Sequence, residues 1–276
     1  MNQSSILPSE VMNYYEQVQE ANRLLRIGSQ VELIRTQELL NRFLPPAPAT
    51  ILDVGGGAGI HAFWLAQKGY SVHLIDAVPR HIEKAIEISK QNPNYPLARM
   101  AVGDARQLDY SDKFADAVLS FGPLYHLTER SDRIKALGEA FRVLRPNGVA
   151  LLVGISRFAS TVNCLIEGLI TDPIFVPIVE RDLKDGQHIN STNDPSYFTT
   201  TFWHHPDELR QESESAGFKT QAILAVEGPA RLLKDYKVHW QQPAQREWLL
   251  KIIRQLESES SLLGFSTHIM LVALKV

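Results

Sequence analysis

The chain has 276 residues, of which 44% are hydrophobic and 21% charged, and it carries a formal net charge of −3. That balance is globular and gives no footprint for a phosphate backbone, so a dedicated nucleic-acid binder is disfavoured. The single cysteine, Cys164, excludes an internal disulfide framework, and structural zinc would want several thiols or imidazoles at short spacing.

Residues 1–17 have no basic and then apolar leader pattern, and no stretch reaches the length of a membrane span. No membrane association is expected, and the default placement is cytoplasmic.

In chain order, residues 8–44 read as two helices, a helical cap at 1–44. Pro8-Ser9-Glu10 starts the first, which carries Val11, Tyr14, Tyr15 and Val18 and stops at Gly28. Val31, Ile34, Leu39, Leu40 and Phe43 mark the second, ended by Pro45-Pro46-Ala47-Pro48.

From residue 50 the pattern alternates. Strands are expected at 50–54, 71–75, 97–102, 114–121 and 149–155, and helices at 58–68, after Pro79 and after Thr128, with Arg145-Pro146-Asn147-Gly148 as a breaker. Such alternation predicts βαβ units, hence an α/β fold with a doubly wound, mostly parallel sheet. Residues 156–205 interrupt it with a helical piece near 161–170 and a polar loop at 182–195. His204-His205 reads as the polar entry to a helix starting at Pro206. Strands at 222–226 and 268–274 flank a second insertion, 228–264, which holds a helix at 243–257. Together these make seven strands.

The densest signal is Asp53-Val54-Gly55-Gly56-Gly57-Ala58-Gly59, a strand that runs through a glycine turn into a helix. Glycines allow a tight turn and the close approach of a ligand. Asp53 sits at the carboxyl end of its strand, where open α/β sheets bind ligands. A glycine turn alone also suits a dinucleotide. Asp76 then ends the second strand, placed for two ribose hydroxyls, and Asp104 ends the third, placed for an adenine amino group.

The series Asp53-x-Gly55-x-Gly57-x-Gly59, Asp76, Gly103-Asp104-Ala105 and Leu144-Arg145-Pro146-Asn147-Gly148 resembles the class I S-adenosylmethionine-dependent methyltransferases, most closely their small-molecule and quinone-type branch. The resemblance spans roughly residues 45–155 and the paired last strands. It implies a Rossmann-like sheet with a reversed C-terminal strand, a methyltransferase domain over 45–276, and S-adenosylmethionine as cofactor with S-adenosylhomocysteine as product. It further implies that Gly55, Gly57 and Gly59 lie along the amino-acid part of the cofactor with Asp53 near its ammonium. Asp76, with Ala77 beside it, would hold the ribose. Asp104 and Ala105 would meet the adenine, Ser120 and Phe121 would lie under the sulfonium, and Tyr15 would cap the site.

Tyr125 and His126 follow the fourth strand and are the candidate acceptor contacts. His126 could act as a base because imidazole titrates near neutrality. Arg35 could neutralise the cofactor carboxylate, but it reads as an exposed arginine on a helix face, which usually has no such role. The aromatic-rich insertions 156–205 and 228–264 are expected to roof the acceptor pocket or to meet a second copy of the chain, so a homodimer stays open. No acidic cluster follows the fourth strand, and no metal is expected. The substrate expected is a small molecule. A cofactor-binding protein without catalysis and a nicotinamide-dependent oxidoreductase remain as alternatives.

Overall fold

A computed structural model describes residues 6–18, 20–192 and 194–276. The chain opens with α1 (Ser9–Gln17), continues through short 3-10 turns at Glu20–Leu25 and Ile27–Ser29, and enters α2 (Gln30–Phe43). The alternating core follows: β1 (Thr50–Val54), α3 (Ile60–Gln67), β2 (Ser71–Asp76), α4 (Pro79–Gln91), β3 (Arg99–Val102), β4 (Ala115–Ser120), α5 (Pro123–His126), α6 (Arg130–Val143) and β5 (Leu144–Ile155). An excursion follows through α7 (Ala159–Glu167), α8 (Phe175–Asp185) and the two-residue strands β6 (Gln187–His188) and β7 (Thr201–Phe202). The chain closes with α9 (Pro206–Ser215), β8 (Lys219–Ala225), α10 (Tyr236–Gln241), α11 (Pro243–Leu256) and β9 (His268–Leu274).

The seven-stranded sheet has the order β3-β2-β1-β4-β5-β9-β8. The first five of these strands run parallel, while β9 is antiparallel to both neighbours. Strand order reverses between β1 and β4, and at such a switch point the loops diverge and leave a crevice at the carboxyl ends.

The two faces of the sheet bury separate cores. On β5, Val149, Leu151 and Val153 join Leu39, Leu40 and the α3 and α4 side chains on one face. Ala150 and Leu152 join Leu137, Ala140 and Leu209 on the other. The period of two in one nearly all-apolar strand is what a doubly covered sheet requires.

Four departures from the sequence expectations have local causes. The first helix stops at Gln17, well before Gly28, and the chain tightens into 3-10 turns. The breaker Arg145–Gly148 is absorbed into a long β5, because Asn147 takes a left-handed φ of 64° and its N–H reaches Lys275 O at 2.7 Å. Residues 175–185 form a helix despite Pro177, since proline is tolerated in a first turn whose N–H groups lack helical partners. Arg35 is fully buried and not exposed: it donates to Val226 O at 3.3 Å and pairs with Glu38 and Glu257, tying α2 to the end of α11.

His204 and His205 do form a helix entry. His204 is buried against Glu212, and His205 caps α9 in a reciprocal box with Glu208.

Candidate functional site

One large cavity opens at the carboxyl ends of β1, β2, β3 and β4. Its floor is the turn from Val54 to Ala58, followed by Ile60 and His61 of α3. Gly55 has a φ of 74°, and a Cβ there would stand 2.4 Å from Pro123 Cδ. Gly57 has a φ of 60° with nothing near its missing Cβ, so the turn is bare where it faces the crevice. Gly59 caps α3 in the left-handed region and does not line the cavity.

Two carboxylates frame this floor. Asp76 Oδ2 accepts from Gly57 N at 2.8 Å, and Oδ1 accepts from Val78 N at 2.9 Å and lies 3.0 Å from His81 Nδ1. The aspartate therefore fixes both the glycine turn and the entry to α4. Asp53 is 1% exposed, and both of its carboxylate oxygens are buried without a protein partner. Burial, with the Asp76 charge added, pushes it up to about 7. A buried carboxyl with no donor is costly in the protein alone and suits a cationic ligand group.

Ala77, Gly103, Asp104 and Ala105 extend the wall along β2 and β3. Asp104 is held by Arg106, which also reaches Asp132 and the carbonyl of Ile6. Phe121 lines the cavity at the end of β4, but Ser120 turns to the opposite face and lines a small separate void under α6.

The cover comes from the N-terminal segment. Ile6, Leu7, Tyr15, Arg23, Leu24, Glu32 and Thr36 all line the cavity. Tyr15 Oη lies 2.7 Å from His126 Nε2, which latches α1 onto α5. Arg80 Nη1 donates to Glu16 O at 2.7 Å.

Among the described residues, none of 156–205 or 228–264 lines the cavity. These insertions instead brace the cover from outside. Phe198 meets the Tyr14 ring edge-on at 5.2 Å, and Trp240 is buried with Val31 of α2. Their aromatic residues fill satellite cores of their own, such as Cys164, Phe175, Ile178 and Val179.

Tyr125 and His126 both line the cavity, and each is already hydrogen-bonded within the protein. Tyr125 Oη donates to Phe121 O at 2.7 Å. Burial drives the His126 imidazole down to about 4, with Asp76 opposing and His81 assisting, and its Nε2 is already engaged by Tyr15.

The far end of the cavity holds residues that sequence reasoning missed: Arg23, Glu32, His61, Val153, Val226 and His268. Arg23 binds Glu32 through two hydrogen bonds at 2.6 and 2.8 Å. His268 Nδ1 lies 2.5 Å from Glu227 Oε1 and 3.9 Å from Glu32 Oε2. Burial would lower His268, but Glu32 and Glu227 hold it up to about 9, so it is an imidazolium at neutral pH. Burial would raise Glu32, but His268 and Arg23 hold it well below the usual carboxylate range.

The donor atoms of Glu32, Glu227 and His268 lie within 4.8 Å of one another, close enough in principle to share a cation. Every carboxylate oxygen among them already has an internal donor: Arg23 for Glu32, and His268 and Ser266 for Glu227. The cluster is a closed chain of alternating charge held by a proton, and the protein itself meets its needs.

A family model described as a methyltransferase domain matches residues 52–152. A glycine/sarcosine N-methyltransferase of Parasynechococcus marenigrum (strain WH8102) is 34% identical over 106 residues, 37% of this chain and 36% of the relative. A ubiquinone biosynthesis O-methyltransferase of Rickettsia conorii is 32% identical over 138 residues, 49% of this chain and 44% of the relative. The chain thus spans less than half the length of these curated relatives. A crystal structure of an S-adenosylmethionine-dependent methyltransferase from Methanosarcina mazei superposes with a TM-score of 0.58 at 21% identity, covering 86% of this chain and 97% of that one. No helix among the described residues is long and apolar enough to cross a membrane.

Proposed function

We propose, from a chain whose residues 52–152 match a methyltransferase-domain family model, that the protein is a class I S-adenosylmethionine-dependent methyltransferase that binds S-adenosylmethionine in this cavity and transfers its methyl group to a small molecule. The observation that carries the reading is Asp53, a buried carboxyl whose two oxygens have no partner beside a bare glycine turn.

The residues present fit the cofactor. Asp53 would accept from its ammonium group, and Gly55 and Gly57 leave the backbone open to its amino-acid part. Asp76 keeps acceptor capacity for ribose hydroxyls beyond its bonds to Gly57, Val78 and His81. Ala105 and Asp104 would flank the adenine, with Asp104 already oriented by Arg106. When bound, the cofactor supplies a methyl carbon activated by a positively charged sulfur.

The protein's own contribution is to position and exclude water. Phe121, Val153 and Val226 line the cavity beyond Asp53 with apolar surface. Tyr15 and its latch to His126 close the cofactor side. Holding two reactants in line can supply much of such a rate.

Residues 1–44 act as the cap in this reading, and 45–276 form the catalytic body. A cytoplasmic placement suits the single buried thiol, Cys164. A homodimer would cover apolar side chains left exposed on the outer insertion, such as Leu165 and Ile170.

Titration calorimetry with S-adenosylhomocysteine on the full chain tests the reading, with Asp76→Ala in parallel. Micromolar binding lost in the variant is the expected result, and absence of wild-type binding overturns it.

A further inference from the structure

Resting on that reading, we infer that His61 is the residue that contacts the methyl acceptor and takes its proton, and that the acceptor is an uncharged molecule bearing an O–H or N–H group. His61 lies in the first turn of α3, directly after the glycine turn, and lines the cavity. It is 8% exposed, and its Nδ1 is shut from water without a protein partner. Its ring meets the edge of Phe121 at 5.8 Å, which fixes the imidazole plane at the end of β4. Among the cavity histidines, His126 is held through Nε2 by Tyr15 and His81 through Nδ1 by Asp76, each with its other nitrogen buried and unpartnered, and His268 is paired with Glu227. His61 alone of these four has no hydrogen bond among the described residues.

The charges around it set the acceptor class. Arg23, Glu32, His268 and Glu227 alternate in sign and are satisfied by one another. The far wall is therefore polar yet carries no net charge. An anionic or cationic acceptor would meet an equal repulsive neighbour for each attractive one, whereas a neutral hydroxyl or amine needs only a hydrogen-bond partner.

Burial keeps the His61 imidazole neutral, down to about 4, with the Glu32 carboxylate acting to raise it and Arg23 to lower it. A neutral imidazole accepts a hydrogen bond from the acceptor. As the acceptor's lone pair forms the new bond to the methyl carbon, the carbon–sulfur bond breaks and its electron pair stays on sulfur. The acceptor proton then becomes strongly acidic and passes to His61, where the Glu32 charge steadies the imidazolium.

The test uses the full chain loaded with S-adenosylhomocysteine, with hydroquinone as the uncharged probe and glycine as the zwitterionic one. Calorimetry reads binding, and release of S-adenosylhomocysteine from S-adenosylmethionine reads turnover. Hydroquinone is expected to bind and glycine not to bind. His61→Phe is expected to weaken hydroquinone by roughly tenfold or more, as loss of a buried hydrogen bond does. His61→Asn keeps a polar side chain and is expected to lose roughly 100-fold in turnover, with a rate that now climbs with pH as the probe ionises by itself.

Both variants should keep wild-type affinity for S-adenosylhomocysteine and an unchanged melting temperature. Preferential binding of glycine, no binding of hydroquinone, or equal binding and turnover by both variants overturns the inference. Loss of S-adenosylhomocysteine binding by the wild type would instead sink the parent reading.

Discussion

The two ends of the cavity are built in different ways. The end proposed for the cofactor is built on strand ends and the turns that follow them: Asp53 near the end of β1 with the glycines after it, Asp76 closing β2 and Asp104 after β3. Its key carboxyl, Asp53, is left unsatisfied by the protein. The far end is assembled from the 3-10 turn at Glu20–Leu25, α2, α3, β5, β9 and the residues just after β8, and its charged groups satisfy one another. One end carries an unmet demand that a ligand must fill. The other is a finished wall with a single orphan imidazole. The contrast teaches that a closed ion-pair network shapes a pocket, while an orphaned buried group marks where a ligand must make a bond.

Breaking the finished wall should cost stability and leave cofactor affinity alone. His268→Ala removes the cation between Glu32 and the buried Glu227 and is expected to cost about 3–5 kcal/mol in chemical denaturation. S-Adenosylhomocysteine affinity should stay within about threefold of wild type. A stable variant that no longer binds would place the cofactor at the wrong end.

At the cofactor end the order of effects reverses. Asp76→Ala is expected to weaken S-adenosylhomocysteine by roughly 100-fold or more, read by calorimetry, since it removes charged acceptors from both ligand and turn. Gly55→Ala combines a left-handed backbone with a clash against Pro123 and should cost on the order of 1–3 kcal/mol in thermal unfolding. The smallest effect belongs to the cover. Tyr15→Phe deletes the latch to His126 and should cost about 1 kcal/mol, visible as faster amide exchange in α1 with little change in the sheet.

The same division governs what the sequence reveals. The strand-turn-helix rhythm, the sheet with one reversed strand and most of the residues that line the glycine-turn end of the cavity are legible because each stands next to the turn that positions it. Even there, Ser120 turned to the wrong face: adjacent strand residues point oppositely, and only the register separates it from Phe121. The far end was illegible because Glu32 reads as a helix surface charge and His268 as a strand start, and only the fold brings them together. Arg35 misled for the same reason, since its partners Glu257 and Val226 lie far along the chain. The insertions were expected above the pocket, yet they brace the N-terminal segment that covers it, through Phe198 and Trp240.

The central claim is that Asp53 waits, buried and unpaired, for the cofactor ammonium, and the pH dependence of binding tests it most directly. Burial holds Asp53 at about 7, above its usual range, so the free protein keeps it protonated below that pH. The sign follows: a raised carboxyl destabilises the free fold progressively as pH climbs toward 7, and ligand binding must first ionise it at lower pH. Calorimetry should show S-adenosylhomocysteine affinity tightening roughly thirty-fold from about pH 5.5 to about pH 8. Asp53→Asn should bind weakly and without that slope, while unfolding later than wild type at alkaline pH. A wild-type affinity that stays flat across this range, or an Asp53→Asn protein that binds as tightly as wild type, would contradict the account.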